Sequence, residues 1–255
     1  MKFSSLLSLV LFVSLSTSVA HAHDFWVAGQ GEAGGEVTTQ LGFGHSFPTI
    51  EEIKDKPRER FKDLRLIGAS GEVPLAIKSS NTSVSKDKVS AGVYHVLLES
   101  HRILATRTPE GWQNKYKNEV QDAERCNESY MFAKTTLFLN DDNLDFIMTP
   151  QGHKLEVVPQ AHPGKVKVGE ALPLLILFDG QPLPWGNISA TFAGFSKGDA
   201  NAQAFASKSN KEGKVNFVPL APGEWKITVK HEMAYPDQNM CDNLNHTASF
   251  TLTVL

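Results

Sequence analysis

The sequence predicts an all-β protein made of two β-sandwich-like domains behind an export leader. Three observations predict it. Apolar residues alternate with polar ones in short runs of period two. Gly, Pro, Asn and Asp punctuate those runs at near-regular spacing. A turn-rich stretch, Thr149-Pro150-Gln151-Gly152, divides the chain into a longer and a shorter half.

The leader comes first. Lys2 supplies a positive start, and Leu6 to Val13 is an apolar run of eight, too short to span a bilayer. Ala20-His21-Ala22 matches the small-x-small cleavage pattern, so 1–22 reads as a signal peptide and His23 as the first mature residue. Cleavage after Ala20 would instead make His23 the third. No later apolar run of about 18 residues follows, and the mature chain is expected in the periplasm.

The first domain is expected over 23–148. Val37, Thr39, Leu41 and Phe43 mark one face of an early strand, and Val73, Leu75 and Ile77 mark another. Val93 to Leu98 is nearly continuous in apolar character and reads as a buried strand. Glu51 to Leu64 is charged and aperiodic, a loop with room for a helical turn. The polar stretch 109–130 is expected to hold a short helix.

The second domain, 149–255, reads as a sandwich of the immunoglobulin or prealbumin kind. Lys154 to Pro159 starts a strand. Leu172 to Phe178 is a buried strand, and Asp179-Gly180 is a tight hairpin turn. Ile188, Ala190 and Phe192 alternate inward, as do Val215 and Phe217. Trp225, Ile227 and Val229 mark one late strand; Ala248, Phe250, Leu252 and Val254 mark the last.

Charge and cysteine content narrow the function. A net charge of −3 with no basic run does not favour nucleic acid. The two cysteines, Cys126 and Cys241, read as one disulfide in an oxidising compartment, with a soft-metal role for the pair as the alternative. In the chain-entropy model it contributes about 4–5 kcal/mol, because the loop it closes exceeds one hundred residues. The nucleophile-elbow, zincin, P-loop and dinucleotide signatures do not occur, so no enzyme is expected.

The histidines carry the chemistry. Continuing the alternation past Val229 reaches His231; reading the last strand backwards past Ala248 reaches His246. If these strands pair as a hairpin, the two imidazoles share a face with Cβ atoms about 5 Å apart. That separation suits one shared ion, although the pair also reads as a polar rim of the sandwich. His45 continues the face of Val37 to Phe43 in a Gly/Pro-framed stretch, "GFGHSFP". His23, as a first residue, offers its α-amine together with its ring. As a third residue it completes a square-planar site of the kind that copper and nickel favour. His95, His101, His153 and His162 read as structural; Met233 and Met240 read as packing, with a role as extra soft ligands as the alternative.

Several motifs occur in order: "AHAHDFWV", "GFGHSFP", "TPEGW", "QGHKLEVVPQ", "LFDGQPLPWGNISATF" and "LAPGEWKITV". Together they resemble a bacterial family catalogued as a domain of unknown function and often labelled the periplasmic component of a nickel/cobalt uptake system. The resemblance implies binding of Ni²⁺ or Co²⁺ outside the cytoplasm and delivery to a membrane transporter permease. His23, His45 and His153 match its amino-terminal histidine, Gly-His and G-H-x-L-E elements. The stretch "HEMAYPDQNMCDN" and the cysteine pair depart from it.

The expected site therefore gathers His23, His45, His231 and His246 around Ni²⁺ or Co²⁺, with Cu²⁺ or Zn²⁺ as alternatives because imidazole suits all four. The competing readings are a periplasmic copper protein that uses its first histidine and a non-metal ligand-binding or adhesion module.

Overall fold

The computed structural model describes residues 24–44, 47–195 and 202–255, with backbone alone at 55 and 56. The first half carries β1 (Asp24–Gly31), β2 (Val37–Gly44), β3 (Arg65–Gly68), β4 (Gly71–Val73), β5 (Leu75–Ile77), β6 (Thr82–Ser85), β7 (Gly92–Glu99), β8 (Ile103–Thr108), β9 (Gly111–Gln113) and β10 (Arg125–Leu139). The second half carries β11 (Leu155–Pro159), β12 (Leu172–Phe178), β13 (Gln181–Pro182), β14 (Asn187–Phe192), β15 (Phe205–Lys208), β16 (Lys214–Phe217), β17 (Gly223–Ala234) and β18 (Asn243–Val254). The α-helices are single turns, α1 (Asp55–Arg58) and α2 (Leu144–Ile147). The protein is all-β, as the sequence predicts. Among the described residues no helix is long and apolar enough to cross a membrane.

One ten-stranded sheet forms the middle of the molecule, in the order β15-β14-β17-β18-β10-β7-β3-β4, with β8 attached to β10 and β9 attached to β8. Two smaller sheets cover it: β1-β2-β6-β5, and a second in which β11, β13 and β16 all pair with β12. They lie on opposite faces. Phe132 of β10 and Ala248, Phe250, Leu252 and Val254 of β18 pack with Leu174, Ile176 and Phe217 of the β12 sheet. Ala133, one residue on and so on the other face of β10, packs with Val27 and Leu41 of the β1 sheet. Thr251 of β18, also on that face, donates its Oγ1 proton to the carbonyl of Val27 at 2.7 Å.

β18 thus belongs to both halves. It forms a hairpin with β17 and runs parallel to β10, from Asn127 opposite Asn243 to Thr135 opposite Thr251. The turn-rich stretch near 149 lies between α2 and β11, outside any strand.

Several expected elements shift for physical reasons. Val73, Leu75 and Ile77 do not share a strand. Pro74 has no N–H to give a ladder, and the chain changes sheet there: β4 pairs with β3, and β5 pairs with β6. The polar stretch 109–130 holds a 3₁₀ turn at Lys117–Glu119, and its end is already strand, since β10 begins at Arg125. At Asp179-Gly180 both residues have positive φ, 52° and 73°, as a two-residue hairpin turn requires. Cys126 and Cys241 form a disulfide, fully buried beside Leu104.

A buried ion pair ties β10 to β11. Lys134 Nζ meets Glu156 Oε1 at 2.5 Å with both side chains nearly inaccessible. Glu156 also accepts the backbone N–H groups of Gln151 and Gly152. Burial pushes its carboxyl up, but Lys134 and these hydrogen bonds hold it down overall. The "QGHKLE" motif is therefore a turn closed on its own carboxylate. His95 is structural too, and His153 is buried against Phe132 with its Nε2 unpartnered. His95 stacks on Phe146 and contacts Thr136 Oγ1 at 3.2 Å, and burial pushes both imidazoles down to about 4. His162 accepts the N–H of Gly164 at a 3₁₀ turn.

Candidate functional site

The β17–β18 hairpin sets His231 directly opposite His246. Both continue the face of Ile227, Val229, Ala248 and Phe250, because side chains two apart in a strand share a side. The parallel ladder then sets Tyr130 of β10 beside His246. His231, His246 and Tyr130 so form one row across three strands.

Aromatic rings enclose the middle of that row. Tyr130 stacks on His246 with centroids 5.7 Å apart and an angle of 17°. Phe132 lies parallel on the same ring at 6.4 Å. Phe178, at the end of β12, meets His246 edge-on at 4.9 Å and His231 at 4.6 Å. His246 is 1% exposed, and neither of its ring nitrogens has a hydrogen-bond partner. His231 is half-buried at the rim.

The electrostatics keep both imidazoles neutral. Burial, then the Lys154 ammonium and His231, hold His246 down to about 4. Burial lowers His231 as well. The nearest buried acid does not reach the pair: Glu128 accepts from the Tyr130 hydroxyl at 2.9 Å and the Tyr116 hydroxyl at 3.0 Å, and Arg102 donates to Tyr116 at 2.8 Å. Burial, with the bond to Glu128, pushes the Tyr130 phenol up to about 12. The row therefore presents two neutral nitrogen donors and a protonated phenol. Neutral imidazole is the form that binds transition metals.

His23 and His45 lie outside the described residues. Their chain neighbours are paired: Asp24 of β1 stands opposite Gly44 of β2. Asp24 accepts a charge-assisted hydrogen bond from Lys226 of β17. Lys226 is 2% exposed, and the Trp26 and Phe47 rings flank its ammonium at 5.6 and 5.4 Å. Lys226 and His231 differ by an odd number of residues, so they face opposite sides of the sheet, about 17 Å apart along the strand. The structure brings together His231 and His246; Asp24 is anchored elsewhere. Among the described residues no group of three or more His, Cys, Asp and Glu side chains is spaced to hold a metal.

Tyr130, Phe178 and Lys226 went unrecognised in the sequence. Tyr130 enters through a parallel pairing between distant strands, and Phe178 enters from the covering sheet. Neither leaves a local pattern. The Lys226 signal was present, as a lysine within an apolar run, Trp225 to Val229.

Comparison with known proteins adds the family. No curated protein matches the chain. Among solved structures, the D0-D1 domain of intimin is 12% identical and similar over 90% of this chain and 97% of that one, with a TM-score of 0.22. FdeC, an Escherichia coli adhesin, is 13% identical over 93% of this chain and 66% of that one, with a TM-score of 0.21. A family model described as a domain of unknown function, DUF4198, matches residues 20–233, most of the chain, and the protein belongs to that family.

Proposed function

We propose that this is an exported periplasmic protein that captures a divalent transition metal, Ni²⁺ or Co²⁺, and hands it to a membrane uptake system. The observation that carries the reading is His246: buried, neutral, unbonded at both nitrogens and opposite a second imidazole. Buried polar groups are nearly always hydrogen-bonded, and an exception calls for a partner such as an ion. His231, at the accessible rim, is the entry ligand; His246 is the inner one.

His23 and His45 form the second pair in this reading. They are the chain neighbours of Asp24 and Gly44, which are opposed in register. The α-amine of a mature His23 would join its ring as a chelate, and its proton is lost easily near neutral pH. The four histidines then serve as two donor pairs, which suits capture and release better than one saturated centre. The role is binding and delivery, not catalysis.

The test is native mass spectrometry and calorimetry of the exported protein with Ni²⁺, Co²⁺, Cu²⁺ and Zn²⁺. The same spectra fix the first residue. Stoichiometric Ni²⁺ or Co²⁺ is expected, with affinity lowered at least tenfold in His246→Phe or His23→Ala. Absence of stoichiometric metal, or unchanged affinity in both variants, would overturn the reading. Tight binding of Cu²⁺ alone would transfer it to copper.

A further inference from the structure

A second polar surface lies on the face of β17 away from His231. It is a cavity of about 600 Å³, in the size range of small-molecule sites. β14 lies between β15 and β17, and the registers set Lys208, Asn187 and Lys230 in one row across the three strands. Ala206, Ser189 and Thr228 form the next row. Asp24 closes one side, its carboxylate already matched by Lys226.

The charge there is positive in an otherwise acidic chain. Lys208 and Lys230 are exposed. Neither has a carboxylate in ion-pair range among the described residues. Their backbones stand two strand spacings apart, about 10 Å. Asn187 lies between them, and Ser189 and Thr228 stand in the next row; their amide and hydroxyls can donate hydrogen bonds to carboxylate oxygens. The cavity lining holds no aromatic ring on which a nucleobase could stack. Two separated ammonium groups with neutral donors beside them match an anion that carries more than one carboxylate.

We propose that this cavity binds a small polycarboxylate, either free or as the chelate of a metal ion. Free binding stands alone. The chelate form rests on the metal reading above, since Asp24 is the residue next to His23.

The test is calorimetry of the mature protein with citrate, with succinate, with Ni²⁺ alone and with Ni²⁺ plus citrate. The comparison is Lys208→Gln/Lys230→Gln, with Lys88→Gln/Lys115→Gln as a control for net charge. Citrate or succinate is expected to bind the native protein, and the Lys208/Lys230 variant to bind it at least tenfold more weakly while the control is unchanged. Binding without metal identifies the free anion as ligand; binding only in the presence of Ni²⁺ identifies the chelate. No binding of either anion in any arm, or equal affinity in the Lys208/Lys230 variant, overturns the proposal. Ni²⁺ binding alone is read separately. If Ni²⁺ binds and the anion does not, this inference fails and the metal reading stands. If the anion binds and Ni²⁺ alone does not, the metal reading fails and the free-anion site stands.

Discussion

An imidazole with two unbonded nitrogens inside an aromatic cage is a loss of stability. Leaving a polar group buried and unpaired costs about 1–3 kcal/mol. Tyr130, Phe132 and Phe178 enclose His246 as they would a phenyl ring. His246→Phe keeps the ring contacts and removes both orphaned nitrogens. It should raise the unfolding free energy by about 1–2 kcal/mol in urea titration, in the same variant that the proposed function expects to lose metal affinity. That pairing separates a retained functional group from a structural one. A His246→Phe protein less stable than the parent would mean that His246 is held by bonds the geometry does not contain.

At the scale of strands and turns, much was legible and the rest had identifiable obstacles. The β17–β18 hairpin could be read because both strands alternate cleanly, and period-two parity then forces His231 opposite His246. β10 could not be read in the same way. It is the longest strand, yet Lys134 and Thr135 sit in its middle, buried against elements on its two faces, so its pattern lacks a polar side. Only the tertiary partner Glu156 makes Lys134 acceptable there. This clamp between β10 and β11 yields a prediction. Lys134→Met leaves Glu156 buried without its cation and should cost about 3–5 kcal/mol in urea-induced unfolding. Adding Glu156→Gln neutralises the stranded charge and keeps a side-chain oxygen for the N–H groups of Gln151 and Gly152. The double variant should recover most of the loss. A single variant within about 1 kcal/mol of the parent would show that the pair contributes nothing to the join.

At the scale of the whole molecule, the turn-rich stretch near 149 separates two apolar cores but not two independent sheets. The first core draws on residues from Phe25 to Leu139; the second runs from Leu155 to Val254 and borrows Phe132 from β10. β18 fills the second core with Ala248, Phe250, Leu252 and Val254 while its backbone completes the ladder of β10. The Cys126–Cys241 disulfide and the Lys134–Glu156 pair cross the same join. If the second half opened alone, it would strip β10 of its partner and strand Lys134 in the first half. The two cores should therefore unfold as one cooperative unit. Two buried tryptophans report from different places: Trp26 of β1, whose ring flanks the Lys226 ammonium, and Trp225 in the second core. Trp225→Phe leaves Trp26 as the buried reporter, and Trp26→Phe leaves Trp225. Trp112 and Trp185 are exposed and change environment little on unfolding. In each variant, urea curves from tryptophan fluorescence and from far-ultraviolet circular dichroism should coincide. A Trp26 transition completed well before loss of the sheet signal, or a Trp225 transition well after it, would mean that the shared strand does not couple the halves.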